Sequence, residues 1–369
     1  ITDSGNVTVG GNLVATTNAG NGVINMGTLR VDGTIALTTN GNGAATVVND
    51  AGLTFAASTV RGALSATATT GDITDSGALA VTGASTFTAA DGQSVTLNNT
   101  NNFTGTVTFA AASGNLKNVT ITDTTVLDLG ALTLAQVAGA GGNLTVTTSG
   151  ALTDSGALVI PGTTTITATG QVVDLDHTSN NFATILFGSS TNAVSSVEVV
   201  DTNAIAIGAS KSTGNFTVTA GGDVTDSDTV TVGGNLSVTT SANDGLINMG
   251  TLEVDGTLAL TTNGNGAATV VNDAGLDFAA LTVRGALSAT ATTGNITQSG
   301  ALTITGTSTL VTSADNATIT LNDGGNTFTG KLLITTNDNN SPSDSTYAAH
   351  VTIHGGTTDL KIGLSTIEG

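Results

Sequence analysis

Residues 73–83 read ITDSGALAVTG, and the chain carries five versions of this phrase. Residues 152–162 read LTDSGALVIPG, residues 224–233 read VTDSDTVTVG, and residues 296–306 read ITQSGALTITG. The chain opens on a fifth, ITDSGNVTVG, at residues 1–10. Each version is a strand end, a polar corner and a new strand that stops at glycine. Asp and Ser bond their own neighbouring backbone in such corners and Gly supplies positive φ, so T-D-S-G reads as turn chemistry. The run after it alternates apolar with polar residues, which gives a strand one buried face.

The corner residues Asp3, Asp75, Asp154, Asp226 and Gln298 recur in sequence steps of 72, 79, 72 and 72. Fixed-period self-similarity takes precedence over residue-level reading, and it divides the chain into five modules starting near residues 1, 73, 152, 224 and 296. A longer period lies above this one. Residues 36–53 are identical to 259–276, and residues 59–71 to 282–294, both at an offset of 223. A block of three modules has therefore been duplicated. Inside a module the glycines set a shorter period: Gly10, Gly33, Gly62 and Gly83 follow in steps of 23, 29 and 21. This predicts about fifteen coils of roughly 20–29 residues. The long interval from Gly105 to Gly142 holds either one swollen coil or two short ones.

A single coil cannot bury its apolar face or pair its backbone groups. A second coil about 4.8 Å above it does both, in a parallel ladder. Asn40-Gly41 and Asn42-Gly43 are hairpin dipeptides. A hairpin would pair its strands antiparallel, whereas coils that resemble one another require like residues stacked on like. The expected fold is all-β, a parallel β-helix forming one continuous shaft over residues 1–330. Residues 331–369 are expected to be irregular terminal coils or a junction to a further module, with a polar loop over 337–345.

Composition agrees with a solenoid. Gly is 49 of 369 residues and Pro only 2, which excludes collagen. Charged residues are 9% and the apolar ones alternate, which is not the pattern of a disordered chain. With no Trp and one Tyr, the core is expected to be narrow and filled by Val, Ile, Leu and Ala. A formal charge of −20 repels nucleic acid and anionic membranes, which bind Lys/Arg footprints. Such an acidic surface attracts loosely held calcium, but no dedicated cofactor or metal site is expected. There is no Cys to form a disulfide, and no apolar run long enough for a membrane span. The first residue falls inside a repeat, so the chain is expected to belong to something longer.

Residues 142–162, GNLTVTTSGALTDSGALVIPG, resemble the repeats of filamentous-haemagglutinin-like bacterial exoproteins. The resemblance extends over residues 1–330. It implies a right-handed β-helix shaft and a secreted, cell-surface adhesin with a host glycan or receptor as partner. Arg61-Gly62-Ala63 and Arg284-Gly285-Ala286 are the nearest approach to an integrin-binding Arg-Gly-Asp, and they lack the acid.

Candidate chemistry is sparse. Asp174, Asp176 and His177 form the densest polar cluster, suited to calcium or acid–base work, yet no Lys or Arg stands near it in sequence. His350 and His354 would stand about 13 Å apart on a strand, too far to share an ion. Thr145/Thr147 and Thr163/Thr165 suggest the flat threonine ranks of ice-binding solenoids, but Leu13-Val14-Ala15 and Leu29-Arg30-Val31 interrupt the pattern. Catalytic, cofactor and metal residues are accordingly expected to be none, and the chain is expected not to be an enzyme. The expected function is a structural segment of an extracellular fibre that extends and polymerises end to end. The alternative is a carbohydrate-binding or polysaccharide-degrading β-helix. Sugar sites commonly stack rings on Tyr or Trp, and Tyr347 is the one such residue in the chain.

Overall fold

The computed structural model describes residues 1–18, 20–337 and 349–368. Every regular element among them is a strand. Forty-four strands over about sixteen turns make nearly three short strands per turn of a parallel β-solenoid. The described residues form two compact units, Ile1–Gly188 and Ser189–Gly369.

In the first unit, residues one coil apart stand directly over one another. Ile24, Ala45, Leu64, Ser85 and Val107 form one inward rank, and Met26, Val47, Ala66, Phe87 and Phe109 the next. The side-chain period of two sends these inward and their neighbours out. The sequence step between partners varies, from 19 for Ala45 over Leu64 to 26 for Leu132 over Leu158. The interval from Gly105 to Gly142 resolves into an ordinary step, Val107 to Leu129, and an enlarged one, Val119 to Leu144. The extra residues form a small antiparallel hairpin, Gln136–Val137 with Ala140–Gly141. Its tip residues Ala138 and Gly139 have φ of 54° and 78°, the positive pair that a tight hairpin turn requires. Asn40-Gly41 makes no hairpin: the strands on either side of it, Thr34–Thr38 and Ala45–Asn49, pair in parallel with other coils.

In the second unit Ile205, Val224, Ile247, Ala268, Leu287, Ser308 and Leu332 make a seven-coil rank. Its segment from Ile247 to Ser308 repeats, residue for residue, the rank from Ile24 to Ser85 in the first unit. The ladder continues past residue 330. Lys331–Asn337 lies in register on Ser308–Asp315, Val351–Ile353 on Ile319–Leu321, and Lys361 and Ile362 on Lys331 and Leu332. The loop expected over 337–345 falls, after Asn337, outside the described residues.

The core is more aromatic than its composition implied. All nine Phe are buried. Phe87 stacks on Phe109 of the next coil at 5.8 Å and meets Phe55 and Phe103 edge-on at 6.3 and 5.8 Å. Each ring adds roughly 1.5–3 kcal/mol of burial, so nine of them carry a share that counting Val and Ile omits.

Corners are held close by glycine. Gly62, Gly83 and Gly105 lie one above another; a Cβ at Gly83 would come within 2.6 Å of the Ala63 nitrogen, and one at Gly105 within 2.7 Å of the Gly83 carbonyl carbon. Backbone hydrogen bonds link Gly62 to Gly43 at 2.9 Å and Gly83 to Gly62 at 3.0 Å. A side chain here would push two coils apart and break those bonds.

Candidate functional site

The repeated T-D-S-G corner does more than turn the chain: its acid reaches the next coil. Asp3 accepts the Thr28 N–H and hydroxyl at 2.7 and 2.9 Å, and Asp226 accepts the same two groups of Thr251 at 2.7 and 2.8 Å. Asp75 and Asp154 take the side-chain amide of Asn101 and Asn180 at 2.8 and 2.7 Å. Gln298, the variant copy, exchanges two 2.9 Å bonds with Asn326. The turn read from the sequence is thus also a clamp between coils.

The three Asn residues are fully buried and were not singled out by sequence reasoning. Their Oδ1 atoms accept the backbone N–H of Leu79, Leu158 and Leu302 at 2.8, 2.8 and 2.9 Å. Their sequence separations from the partner corners are 26, 26 and 28, and that near-constant spacing was the available signal. Burial sets the electrostatics of this corner. Asp154 is pushed above the ordinary carboxylate range by burial, against the pull of the Asn180 amide. Asp3, in contact with solvent, is held below that range by the backbone N–H groups of Thr28 and Gly27.

The cluster Asp174, Asp176 and His177 does not converge. Asp176 is exposed, and the His177 Nδ1 accepts the Ser179 N–H at 3.2 Å, a local turn bond. Asp174 stands over Thr153, which stands over Asp128, so a threonine separates the two acids. Asp174 is pushed up by burial and then by Asp176, and its Oδ1 has no hydrogen-bond partner. His350 and His354 flank the strand Val351–Ile353, both exposed, and the His354 Nδ1 accepts the Gly356 N–H at 3.0 Å. No group of three or more acids, His or Cys among the described residues is placed to hold a metal ion. Nor is any helix there long and apolar enough to cross a membrane. Tyr347 lies outside the described residues.

Threonine ranks are longer than the sequence suggested. Thr34, Thr54, Thr74, Thr96, Thr120, Thr145 and Thr165 stack through seven coils before Leu186. A second rank runs beside it only at Thr122, Thr147 and Thr167. Thr163 stacks on Thr184, outside both ranks.

Two concave grooves on the surface are copies of each other. The first, about 310 Å³, is lined by Thr28, Leu29, Arg30, Val48, Asp50 and Thr69. The second, about 220 Å³, is lined by the residues 223 further on: Thr251, Leu252, Glu253, Val271, Asp273 and Thr292. Both open where a long strand, Ile24–Val31 or Ile247–Val254, shifts register after its methionine and bends round a corner. The grooves share eight lining positions at this offset, six of them identical; Asn6 is replaced by Thr229, and Arg30 is reversed in charge to Glu253. Arg30 faces Asp50 at 3.9 Å, whereas Glu253 crowds Asp273. Burial, then Glu253, then Asp255 push Asp273 above the ordinary carboxylate range. The Glu253 carboxylate accepts the Thr231 hydroxyl at 2.8 Å.

No characterised protein and no solved structure matches the chain. A repeat family does, over residues 42–110, 116–187, 192–247 and 265–335. The starts of these stretches are spaced by 74, 76 and 73, close to the module length read from the corners, though in a different phase. With most of its length so matched, the chain belongs to the family described as repeats of unknown function (DUF5649).

Proposed function

We propose that this chain is a structural segment of a long extracellular or cell-surface bacterial fibre, of the filamentous-haemagglutinin-like adhesin kind. Its work is to extend, and to join end to end with further coils of the same build. The observation that carries this reading is the duplicated block. Residues 24–71 and 247–294 build the same ladder with the same partners. A sequence that makes the same coils each time it is copied lengthens a solenoid by copying, because each coil contacts only its neighbours. The acidic surface suits such a segment, since self-repulsion keeps laterally exposed strands soluble. Electron micrographs of the chain, and of a version carrying one extra copy of the duplicated block, test the reading. The long dimension should grow with the block. Particles of unchanged length would defeat it.

A second reading, glycan binding, is favoured by the paired grooves, which offer threonine hydroxyls beside charged groups. A glycan array probed with the full chain, then with Asp50→Ala and Asp273→Ala, decides it. Saturable binding lost in those variants would support the glycan reading.

A further inference from the structure

We propose that Asn40 and Asn263 are sites of self-modification, converted by water to aspartate and isoaspartate without any enzyme. Five Asn-Gly pairs occur in the chain, at Asn21, Asn40, Asn42, Asn263 and Asn265. In such a pair the backbone nitrogen of Gly attacks the carboxamide carbon of Asn, since no Cβ blocks its approach. A new C–N bond closes a five-membered imide. The Cγ–Nδ2 bond breaks and ammonia leaves, carrying the proton lost by the glycine amide. Water then opens the imide at either carbonyl, giving aspartate or, with one extra main-chain atom, isoaspartate. Nothing is oxidised or reduced, and solvent is the sole co-reactant.

The fold sorts these pairs. At Asn40 the attacking nitrogen already faces its target: the Gly41 N–H donates to the Asn40 Oδ1 at 2.9 Å, one bond from the carbon it would attack. Asn263 and Gly264 repeat that contact at 2.9 Å. All four residues are exposed, so water reaches them. At Asn42 and Asn265 the following nitrogen is tied elsewhere. The Gly43 N–H donates to the Asn40 carbonyl at 3.1 Å, and the Gly266 N–H to the Asn263 carbonyl at 2.9 Å. Those bonds must break before attack.

The acidic product already has a precedent at this corner. Asn21, one coil below Gly41, corresponds to Asp244 in the duplicated block. Both sit at positive φ, 62° and 65°. Both accept the N–H of the coil above, from Asn42 at 2.7 Å and from Asn265 at 2.5 Å. The corner therefore holds its shape with a carboxylate in place of an amide. Isoaspartate is different, because the Asn40 carbonyl holds both the Asn21 and the Gly43 N–H, at 3.1 Å each, and a longer main chain displaces it.

The test is incubation of the full folded chain at mildly alkaline pH, followed by peptide mapping with fragmentation that separates aspartate from isoaspartate. The unfolded chain in denaturant is the reference in which all five pairs convert. In the folded chain Asn40 and Asn263 should convert, with Asn42 and Asn265 slower by roughly five- to tenfold, the ratio one net hydrogen bond sets. Asn40→Gln and Asn263→Gln should abolish the signal at their own positions and leave the other site converting. Equal conversion at all four positions, or none at Asn40 and Asn263 in the folded chain, would overturn the proposal.

Discussion

Residues 24–71 and 247–294 are an experiment the chain performs on itself. Over the strand Ile24–Val31 and its copy Ile247–Val254 a single residue differs, Arg30 against Glu253. The surrounding atoms barely change. Asn49 accepts the Val31 N–H at 2.8 Å and donates to the Gly52 carbonyl at 2.7 Å; Asn272 does the same to Val254 and Gly275 at 2.8 and 2.7 Å. Thr39 and Thr262 each donate to a glycine carbonyl at 2.6 Å and accept an arginine N–H at 2.9 and 3.0 Å. The difference teaches which interactions define the coil. Buried corner bonds are copied to within a tenth of an ångström, while the charge on the groove wall reverses without moving them.

The corner asparagines should break this symmetry most. Asn49→Ala or Asn272→Ala leaves a buried backbone N–H and two carbonyls without a side-chain partner. An unsatisfied buried group costs about 1–3 kcal/mol, so each substitution should destabilise its own corner by about 3 kcal/mol. Hydrogen exchange at the Val31 and Val254 amides reads this locally, in each unit separately. Equal losses would show that the two corners are energetically as well as geometrically copies. A loss under about 1 kcal/mol in either would deny these bonds the role given them.

Threonine comes next. Thr39→Val and Thr262→Val keep the shape and remove the hydroxyl that bridges a glycine carbonyl and an arginine N–H. About 1–2 kcal/mol should be lost at each site, again equally, measured by denaturant unfolding of single and double variants. The two losses should add, as they do for sites that share no partner.

These corners also mark how far the sequence could be read. The solenoid was legible because stacking forces a period, and the period is written in Asp3, Asp75, Asp154 and Asp226. The partner of each corner acid depends on coil circumference, and only its near-constant spacing from the corner pointed to it. Asp75 reaches Asn101 rather than its own turn, and nothing in T-D-S-G states where the coil closes. Phe87 was hidden for a related reason. A composition counts nine rings but not that Phe55, Phe87, Phe103 and Phe109 meet across two faces. The charge reversal at Arg30 and Glu253 was present in the sequence, but it gained meaning only once both residues stood on a groove wall.

The smallest effect is also the most discriminating. Arg30 and Asp50 are well exposed, with 66% and 53% of their side chains accessible, so their pair is screened and contributes at most about 1 kcal/mol. Exchange by Glu253→Arg should therefore barely move stability at neutral pH and should change its pH dependence instead. Asp273 binds its proton more tightly in the folded chain than the ordinary value of 3.8 allows, because burial, Glu253 and Asp255 disfavour its charge. A carboxyl raised in this way opposes folding above its folded pKa. That penalty fades as the pH falls through the raised value, and is gone below the ordinary one. Unfolding of the native chain should thus show stability in this corner rising on mild acidification, before general acid denaturation sets in. With Glu253→Arg the cation favours the Asp273 carboxylate, and the rise should flatten or reverse. An unchanged profile would mean that burial and Asp255 set the Asp273 proton without Glu253, and that the copied groove was free to change sign because nothing in the fold responds to it.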